Sequence, residues 1–137
     1  MLVSLLEWDD IKLNTISADS VRSIARNYSE GDIKGWRIPT KAEAQRIKET
    51  YLSAYPDYSE NLAILNSKIE DLGGITLRPW DETKSSAPTC RYFCSDADST
   101  FAIRSNSTIS KAGNTVSYNL RLVRDTTITT KTYEIKF

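Results

Sequence analysis

The chain has 137 residues, of which 39% are hydrophobic and 26% charged, values typical of a single globular domain. Its 18 Lys and Arg residues balance 18 Asp and Glu residues, so no overall field draws the chain onto nucleic acid or an anionic membrane. The chain has no histidine, which counts against most acid/base enzymes, and no apolar run approaches the roughly 18 residues of a membrane span. We therefore predict one domain over residues 1–137, with no nucleic-acid partner and no membrane insertion.

The first predicted elements are a strand and a helix. Residues 2–8 are mostly apolar, but they lack a basic flank and are interrupted by Glu7, which favours a first strand over a signal peptide. Within residues 17–29 the apolar positions recur at three- and four-residue spacing, and Ser17 can cap the first turn. This pattern predicts a helix.

A second helix is predicted to begin after Thr40. Thr40 and Glu43 have the spacing of a capping box, in which each side chain accepts the backbone amide of the other residue. The expected buried stripe of this helix consists of Ala44, Ile47, Tyr51 and Ala54 or Tyr55. Pro56 is expected to end it.

The remainder of the chain changes from helical to strand patterns. Leu62, Leu65 and Ile69 indicate a short third helix, residues 75–77 a brief strand, and residues 81–88 a polar loop. Strand signals then dominate in four segments: 90–95, 100–105, 116–124 and 127–137. Because helices come first and strands afterwards, we predict an α+β domain with two main helices on a twisted antiparallel sheet, and a long irregular loop region.

Three short blocks carry a resemblance to a known superfamily. Residues 35–43 read GWRIPTKAE, residues 91–96 read RYFCSD, and residues 118–125 read YNLRLVRD. In this order they resemble the bacterial branch of the C-type-lectin-like superfamily, which includes formylglycine-generating-enzyme-like domains and the major paralogous domains of surface lipoproteins and fimbrial adhesins. The resemblance covers about residues 17–125 and implies a C-type-lectin-like fold.

The resemblance implies structural roles for the conspicuous motif residues. These are Trp36, Arg37, Pro39, Thr40, Glu43, Arg121 and Arg124. Trp36 is expected to wedge between the second helix and the sheet, and Arg37 to pair with an acidic neighbour. Scaffold roles are favoured over ligand contacts, so the motif is a poor guide to a binding site.

Residues 126–137 extend beyond the blocks that carry the resemblance. Their apolar and polar side chains alternate, which predicts an extra, half-buried C-terminal strand. We expect it to pair with the strand at residues 2–8. The alternative is a connecting or exchanged strand within a longer protein.

The two cysteines are predicted to be buried thiols. In an extended strand, Cys90 and Cys94 have Cα atoms about 13 Å apart, beyond the roughly 7 Å limit of a disulfide. A disulfide between Cys90 and Cys94 is the alternative, and it requires that this segment is not a strand. Formylglycine-generating enzymes hold copper with a cysteine pair, but no matching motif occurs here.

Calcium is the second metal for which the sequence offers candidate ligands. Asp96 and Asp98 offer two carboxylates that can coordinate Ca²⁺, which takes six to eight oxygen ligands. The run is too short to supply a site alone, and the triplets typical of calcium-dependent lectins are absent. We favour a solvated turn and expect no cofactor.

The stretch 57–88 is the predicted ligand-binding region, because the resemblance aligns it with the variable long-loop region of the superfamily. Trp80 combines a flat apolar face with the hydrogen-bonding neighbours Arg78, Asp81 and Glu82, which suits a sugar ring or a protein side chain. The competing interpretation places Trp80 in the core beneath the loop.

These patterns favour a non-catalytic recognition or adhesion domain that binds glycan or protein. The resemblance implies an extracytoplasmic position on a bacterial surface or fimbrial protein. The alternative is a structural domain that assembles with subunits of a pilus or surface complex. A copper-dependent oxidase is a distant third hypothesis.

Overall fold

The computed structural model describes residues 2–52, 58–78, 91–103 and 109–125 of the chain. Within these residues, strand β1 (Leu2–Ile11) precedes helices α1 (Ala18–Asn27), α2 (Lys41–Leu52) and α3 (Tyr58–Asp71). The strands that follow are β2 (Tyr92–Cys94), β3 (Ser99–Phe101), β4 (Ser110–Lys111) and β5 (Tyr118–Arg124). The predicted α+β class is confirmed. None of the helices in the described ranges is long and apolar enough to cross a membrane.

Both predicted N-terminal helices form, and each begins at its predicted cap. The Ser17 hydroxyl accepts a first-turn amide of α1 at 3.2 Å. At α2, the Thr40 amide donates to the Glu43 carboxylate at 2.9 Å, and the Glu43 amide donates to Thr40 Oγ1 at 3.2 Å. Such caps satisfy amides that have no partner within the helix. Ala44 and Ile47 of α2 are buried, as the stripe predicted.

The predicted third helix forms as α3, which has 14 residues and is longer than the short helix expected within the irregular stretch 57–88. Leu62 and Ile69 are buried seven residues apart, which keeps one face of the helix on the core. The helix ends where its backbone approaches β1. A Cβ atom at Gly74 would lie 2.8 Å from Ile69 Cγ2 and 2.9 Å from Leu5 Cδ2, so only glycine fits this contact.

The brief strand predicted at residues 75–77 does not form. The Asn66 side chain instead binds both main-chain groups of Leu77: its amide donates to the Leu77 carbonyl at 2.8 Å, and its oxygen accepts the Leu77 amide at 2.8 Å. An asparagine amide carries a donor and an acceptor, and can satisfy an extended residue without a neighbouring strand. The segment after α3 is therefore fixed by a side chain.

The sheet is mixed, which corrects the predicted antiparallel sheet. The order of the described strands is β1-β5-β2-β3-β4. Strands β1 and β5, β2 and β3, and β3 and β4 pair antiparallel, whereas β2 and β5 are parallel at Tyr92 and Asn119. The Asn119 amide donates to the Arg91 carbonyl at 2.8 Å in this parallel pair. Strand β5 therefore joins the two halves of the sheet.

Hydrophobic clusters cover both faces of the sheet because alternate strand residues point in opposite directions. One cluster packs Val21 and Ala25 of α1 against Phe93, Leu120 and Leu122. The other combines residues of α2 and α3 with the opposite sides of β2, β3 and β5, including Ala44, Ile47, Leu62, Ile69, Tyr92, Phe101 and Val123. Most of the predicted strand residues after α3 that the structure describes are thus buried on one face or the other.

Trp36 lies in the cluster that contains α1, which corrects its predicted place between α2 and the sheet. Its side chain is 6% exposed, and its Nε1 donates to the Ile33 carbonyl at 3.2 Å. The edge-to-face contact with Tyr28 has a centroid separation of 5.7 Å and fixes the ring beside the end of α1. The next residue, Arg37, forms backbone hydrogen bonds with Val123 of β5. This bridge directs Trp36 towards the α1 face.

The predicted pairing of residues 126–137 with β1 lies outside the described residues. Within them, β1 is at one edge of the sheet and pairs with β5. Its outer edge is occupied at Leu5, whose amide donates to the Glu30 carboxylate at 2.6 Å and whose carbonyl accepts the Ile75 amide at 2.8 Å. Strand β1 is therefore partly protected in its middle.

Candidate functional site

A buried carboxylate shared by two arginines lies between β1 and β5. The side chain of Glu7 is 2% exposed; its Oε1 is 3.3 Å from Nη1 of Arg121, and its Oε2 is 2.9 Å from Nη2 of Arg78. Asn119 Nδ2 lies 3.5 Å from the same Oε2. A second carboxylate, that of Asp9, lies 3.9 Å from the same Nη2 of Arg78. We call Glu7, Arg78, Asn119 and Arg121 the charged cluster.

An irregularity in β1 places Glu7 opposite Arg121. The register shifts between Val3, which pairs with Val123, and Glu7, which pairs with Arg121. Strand β1 thus advances by four residues while β5 advances by two. Ser4 holds the bulge: its hydroxyl accepts the Leu122 amide at 3.1 Å, and its carbonyl accepts Nε of Arg121 at 2.6 Å. Bulges redirect side chains and are frequent beside functional sites.

Arg121 is the most constrained member of the charged cluster. Its side chain is 2% exposed, and its Nη2 has no hydrogen-bond partner among the described residues. A guanidinium cannot lose its charge in a protein, so Glu7 supplies the compensation that burial requires. The structural role predicted for Arg121 is consistent with these contacts.

The cluster adjoins both ends of the stretch 79–90. On one side, the Arg78 amide donates to the Tyr92 hydroxyl at 2.9 Å, while the Arg78 guanidinium binds Glu7. On the other side, Arg91 donates to the Thr100 hydroxyl and carbonyl, both at 3.0 Å. The residues flanking 79–90 are therefore fixed to the sheet, close to Asn119 and Tyr92.

The predicted ligand-binding residues are described in part. Arg78 belongs to the charged cluster, and its side chain is 51% exposed while its guanidinium binds Glu7. Trp80, Asp81 and Glu82 lie outside the described residues, as does Cys90. The ligand contact predicted for Trp80 and its competing place in the core both stay predictions.

Asp96 and Asp98 lie in the turn between β2 and β3, away from the charged cluster. Their side chains are exposed, and Arg22 lies beside both residues: its Nε donates to the Asp96 carbonyl at 2.8 Å, and its Nη2 is 3.4 Å from the Asp98 carboxylate. A fixed guanidinium disfavours a divalent cation at the same place. No group of three or more Asp, Glu or Cys residues suited to a metal occurs within the described ranges.

The backbone of this turn is left-handed at three consecutive residues that are not glycine. Ser95, Asp96 and Ala97 have φ values of 53°, 56° and 70°. The turn closes with a hydrogen bond from the Asp98 amide to the Ser95 carbonyl at 3.0 Å, and the Ser95 amide donates to Pro39 at 2.8 Å. Left-handed residues cost energy and persist where the surroundings fix them.

The other motif residues contact protein groups. Arg37 pairs with Glu43 at 2.6 Å, which is the predicted acidic neighbour, and Pro39 is buried. Nε of Arg124 donates to the Lys34 carbonyl at 2.6 Å. The Arg124 contact connects the segment before α2 to β5, and the Arg37 contact connects the same segment to α2.

Cys94 carries a free, buried thiol. The alternative prediction, a disulfide between Cys90 and Cys94, is therefore wrong. Burial raises the pKa of Cys94 to about 11, and the nearby charges of Lys41 and Arg91 only partly oppose this. The thiol is therefore protonated at neutral pH, whereas nucleophilic and metal-binding cysteines are thiolates.

The sequence prediction missed Glu7, Asn119 and Ser4 as members or supports of the site. A carboxylate within the apolar run of residues 2–8, and an arginine within the apolar strand 118–124, were the available signals. A charge in the middle of two pairing strands indicates a buried ion pair, but the sequence does not give the register that brings the charges together.

In the comparisons with known proteins, no family model, no curated protein and no solved structure matches the chain. What the protein does is therefore inferred from its own residues and contacts.

Proposed function

We propose that the chain is a non-catalytic recognition domain that binds a glycan or a protein through residues 78–91. The observation that carries this proposal is the fixation of both flanks of the stretch 79–90 to the same part of the sheet. Arg78 is held by Glu7 and the Tyr92 hydroxyl, and Arg91 by Thr100 and Asn119. Binding segments on a rigid scaffold lose less conformational freedom when a ligand is bound.

The residue types in this stretch suit a polar ligand with a flat face. The half-exposed Arg78 guanidinium presents donors in a fixed orientation. Trp80 follows two residues later, and its ring can stack on a sugar or an amino-acid side chain, while Asp81 and Glu82 provide acceptors for hydroxyl or amide groups. Such a set binds by stacking and hydrogen bonding and needs no reaction.

Two observations support a role without catalysis. The chain lacks histidine, so a serine or cysteine nucleophile has no imidazole base. The raised pKa of Cys94 keeps its thiol protonated, which argues against thiolate chemistry and against copper-dependent oxidation at this residue. Both carboxylate oxygens of Glu7 accept from arginines, so this residue serves as an anchor for the site.

The likeness of residues 35–43, 91–96 and 118–125 to C-type-lectin-like domains supports the same role. On that basis we propose a C-type-lectin-like domain displayed outside the cytoplasm, on a bacterial surface or fimbrial protein. We propose that binding is independent of calcium, because Arg22 occupies the surroundings of Asp96 and Asp98.

A structural domain of a pilus or surface complex is the second candidate. The edge position of β1 favours it, because an edge strand can pair with a strand of another chain. However, Glu30 and Ile75 already bind the outer main-chain groups of Leu5. Strand addition would be interrupted there, which makes ligand recognition the better-supported function.

The proposal is tested by binding of the purified protein to arrays of glycans and extracellular-matrix proteins, with calcium and with chelator. Wild type should bind at least one ligand in both conditions, and Trp80→Ala and Arg78→Gln should weaken that binding. Arg26→Gln, at an exposed arginine of α1, is the matched control. Binding that is equal in all variants would overturn the proposed site, and blank arrays combined with a copurifying subunit would favour assembly.

A further inference from the structure

A second candidate binding site is a cleft beside the β2–β3 turn. It has a volume of about 720 Å³, within the range of small-molecule sites. The residues lining it come from four segments of the chain: Leu13 and Ala18; Lys41; Ala97, Asp98 and Ser99; and Ile109, Lys111 and Ala112. The cleft therefore depends on the folded arrangement rather than on one element.

The walls of the cleft are aliphatic. Leu13, Ala18 and Ala112 pack at the border of the α1 cluster, and Ile109 at the border of the opposite cluster. No aromatic ring is among the lining residues of the described chain, so the cleft lacks the flat surface on which sugar rings stack. Small aliphatic walls suit a hydrocarbon body instead.

Two lysines give the cleft its charge. Among the residues the structure describes, neither Lys41 nor Lys111 has a salt bridge or a side-chain hydrogen bond. The acidic residue of the lining, Asp98, lies 3.4 Å from Arg22, and Glu43 of α2 pairs with Arg37 at 2.6 Å. Both ammonium groups are therefore available to an anion.

We propose that this cleft binds a small organic carboxylate with an aliphatic body. Lys41, at the start of α2, and Lys111, on β4, receive the carboxylate, and the Ser99 hydroxyl, also in the lining, is a further donor. The aliphatic body lies against the walls formed by Leu13 and Ile109. This site is separate from residues 78–91 and does not depend on the proposed recognition function.

Three probes separate the contributions of head group and body. Hexanoate carries both, 1-hexanol has the same body without charge, and acetate has the charge without the body. In an amide chemical-shift titration of the full chain, hexanoate should shift cleft resonances and bind about tenfold more tightly than 1-hexanol, as expected for two exposed charge contacts. It should also bind at least about tenfold more tightly than acetate, which lacks the methylene groups that contact the walls. The affinity for hexanoate should fall as salt is added.

Lys41→Gln and Lys111→Gln should each weaken hexanoate binding about threefold, and the double variant about tenfold. Lys68→Gln is the matched control, because Lys68 is an exposed lysine of α3 that does not line the cleft. Equal binding of hexanol and hexanoate would overturn the proposal. So would an equal loss in Lys68→Gln, or the absence of shifts at cleft residues. Failure on any of these points leaves the proposal for residues 78–91 intact, because none of the three lysines lies there.

Discussion

Oε1 of Glu7 lies 3.3 Å from Nη1 of Arg121, and both side chains are 2% exposed. Glu7→Gln preserves the shape of the side chain but leaves the Arg121 charge buried without its closest counter-charge. We expect this variant to lose about 3 kcal/mol of unfolding free energy, as when one partner of a buried pair is removed. Urea denaturation followed by circular dichroism measures the loss.

Asp9→Asn is the control for this substitution. Asp9 is 72% exposed and lies 3.9 Å from Nη2 of Arg78, so its ion pair is screened by solvent. We expect a change below about 0.5 kcal/mol. If Glu7→Gln destabilised the protein no more than Asp9→Asn, the charged cluster would not be an anchor of the fold.

The capping box of α2 gives a second test. Thr40→Ala removes the hydroxyl that accepts the Glu43 amide, and should lower the unfolding free energy by about 1 kcal/mol. Thr115→Ala, at an exposed threonine outside the helices and strands, should have little effect. Thermal unfolding compares the two variants. Equal melting temperatures would show that the box does not stabilise α2.

The elements with a strong local signal were predicted well. The caps at Ser17 and Thr40 and the spacing of the apolar residues indicated α1 and α2. These signals depend on contacts within one turn, which the sequence contains directly. The third helix was underestimated because the segment 57–71 has a less regular apolar spacing.

The errors arose where distant contacts decide the structure. The sequence predicted an antiparallel sheet because it does not reveal that β5 lies between β1 and β2 and pairs parallel with the latter. It predicted Trp36 beside α2, whereas the bridge between Arg37 and Val123 turns this residue towards α1. For the candidate site it indicated Arg78, but the bulge at Ser4 and the partner Glu7 depend on register, which is a long-range property.

Stability should depend on the ionisation of Cys94 in alkaline solution. Burial raises its pKa from 9.0 to about 11, so between these values the folded protein retains a proton that the unfolded chain releases. The unfolding free energy should therefore fall as the pH rises from about 9 to about 11. The pKa of Tyr28 is also raised above its ordinary value of 10.0, mainly by burial, so Tyr28 adds to the loss from about pH 10 upward in both wild type and Cys94 variants.

Cys94→Ala isolates this contribution. The variant lacks the thiol, and its stability should decline less steeply over the same pH range, even if the smaller side chain lowers stability at every pH. Urea midpoints at pH 8, 9, 10 and 10.5 provide the slopes. Parallel slopes for wild type and variant would contradict the raised pKa.

The left-handed turn before β3 predicts a stabilising substitution. Asp96 has a φ of 56° and an exposed side chain, and glycine adopts this conformation without the steric cost of a Cβ atom. Asp96→Gly should raise the unfolding free energy by about 0.5 kcal/mol, after the greater freedom of glycine in the unfolded chain is subtracted. Asp19→Gly, in the first turn of α1, should lower it by about 1 kcal/mol. Losses of the same size in both variants would show that the Asp96 backbone is not strained.

The most direct test of the proposed recognition role replaces residues 79–90 with a Gly-Ser linker of the same length. The contacts of Arg78 and Arg91 with the sheet lie outside the exchanged stretch. The exchanged protein should keep its circular dichroism spectrum and urea midpoint but should no longer bind the array ligand that wild type binds. A folded exchanged protein that still binds this ligand with wild-type affinity would contradict the recognition role of residues 79–90.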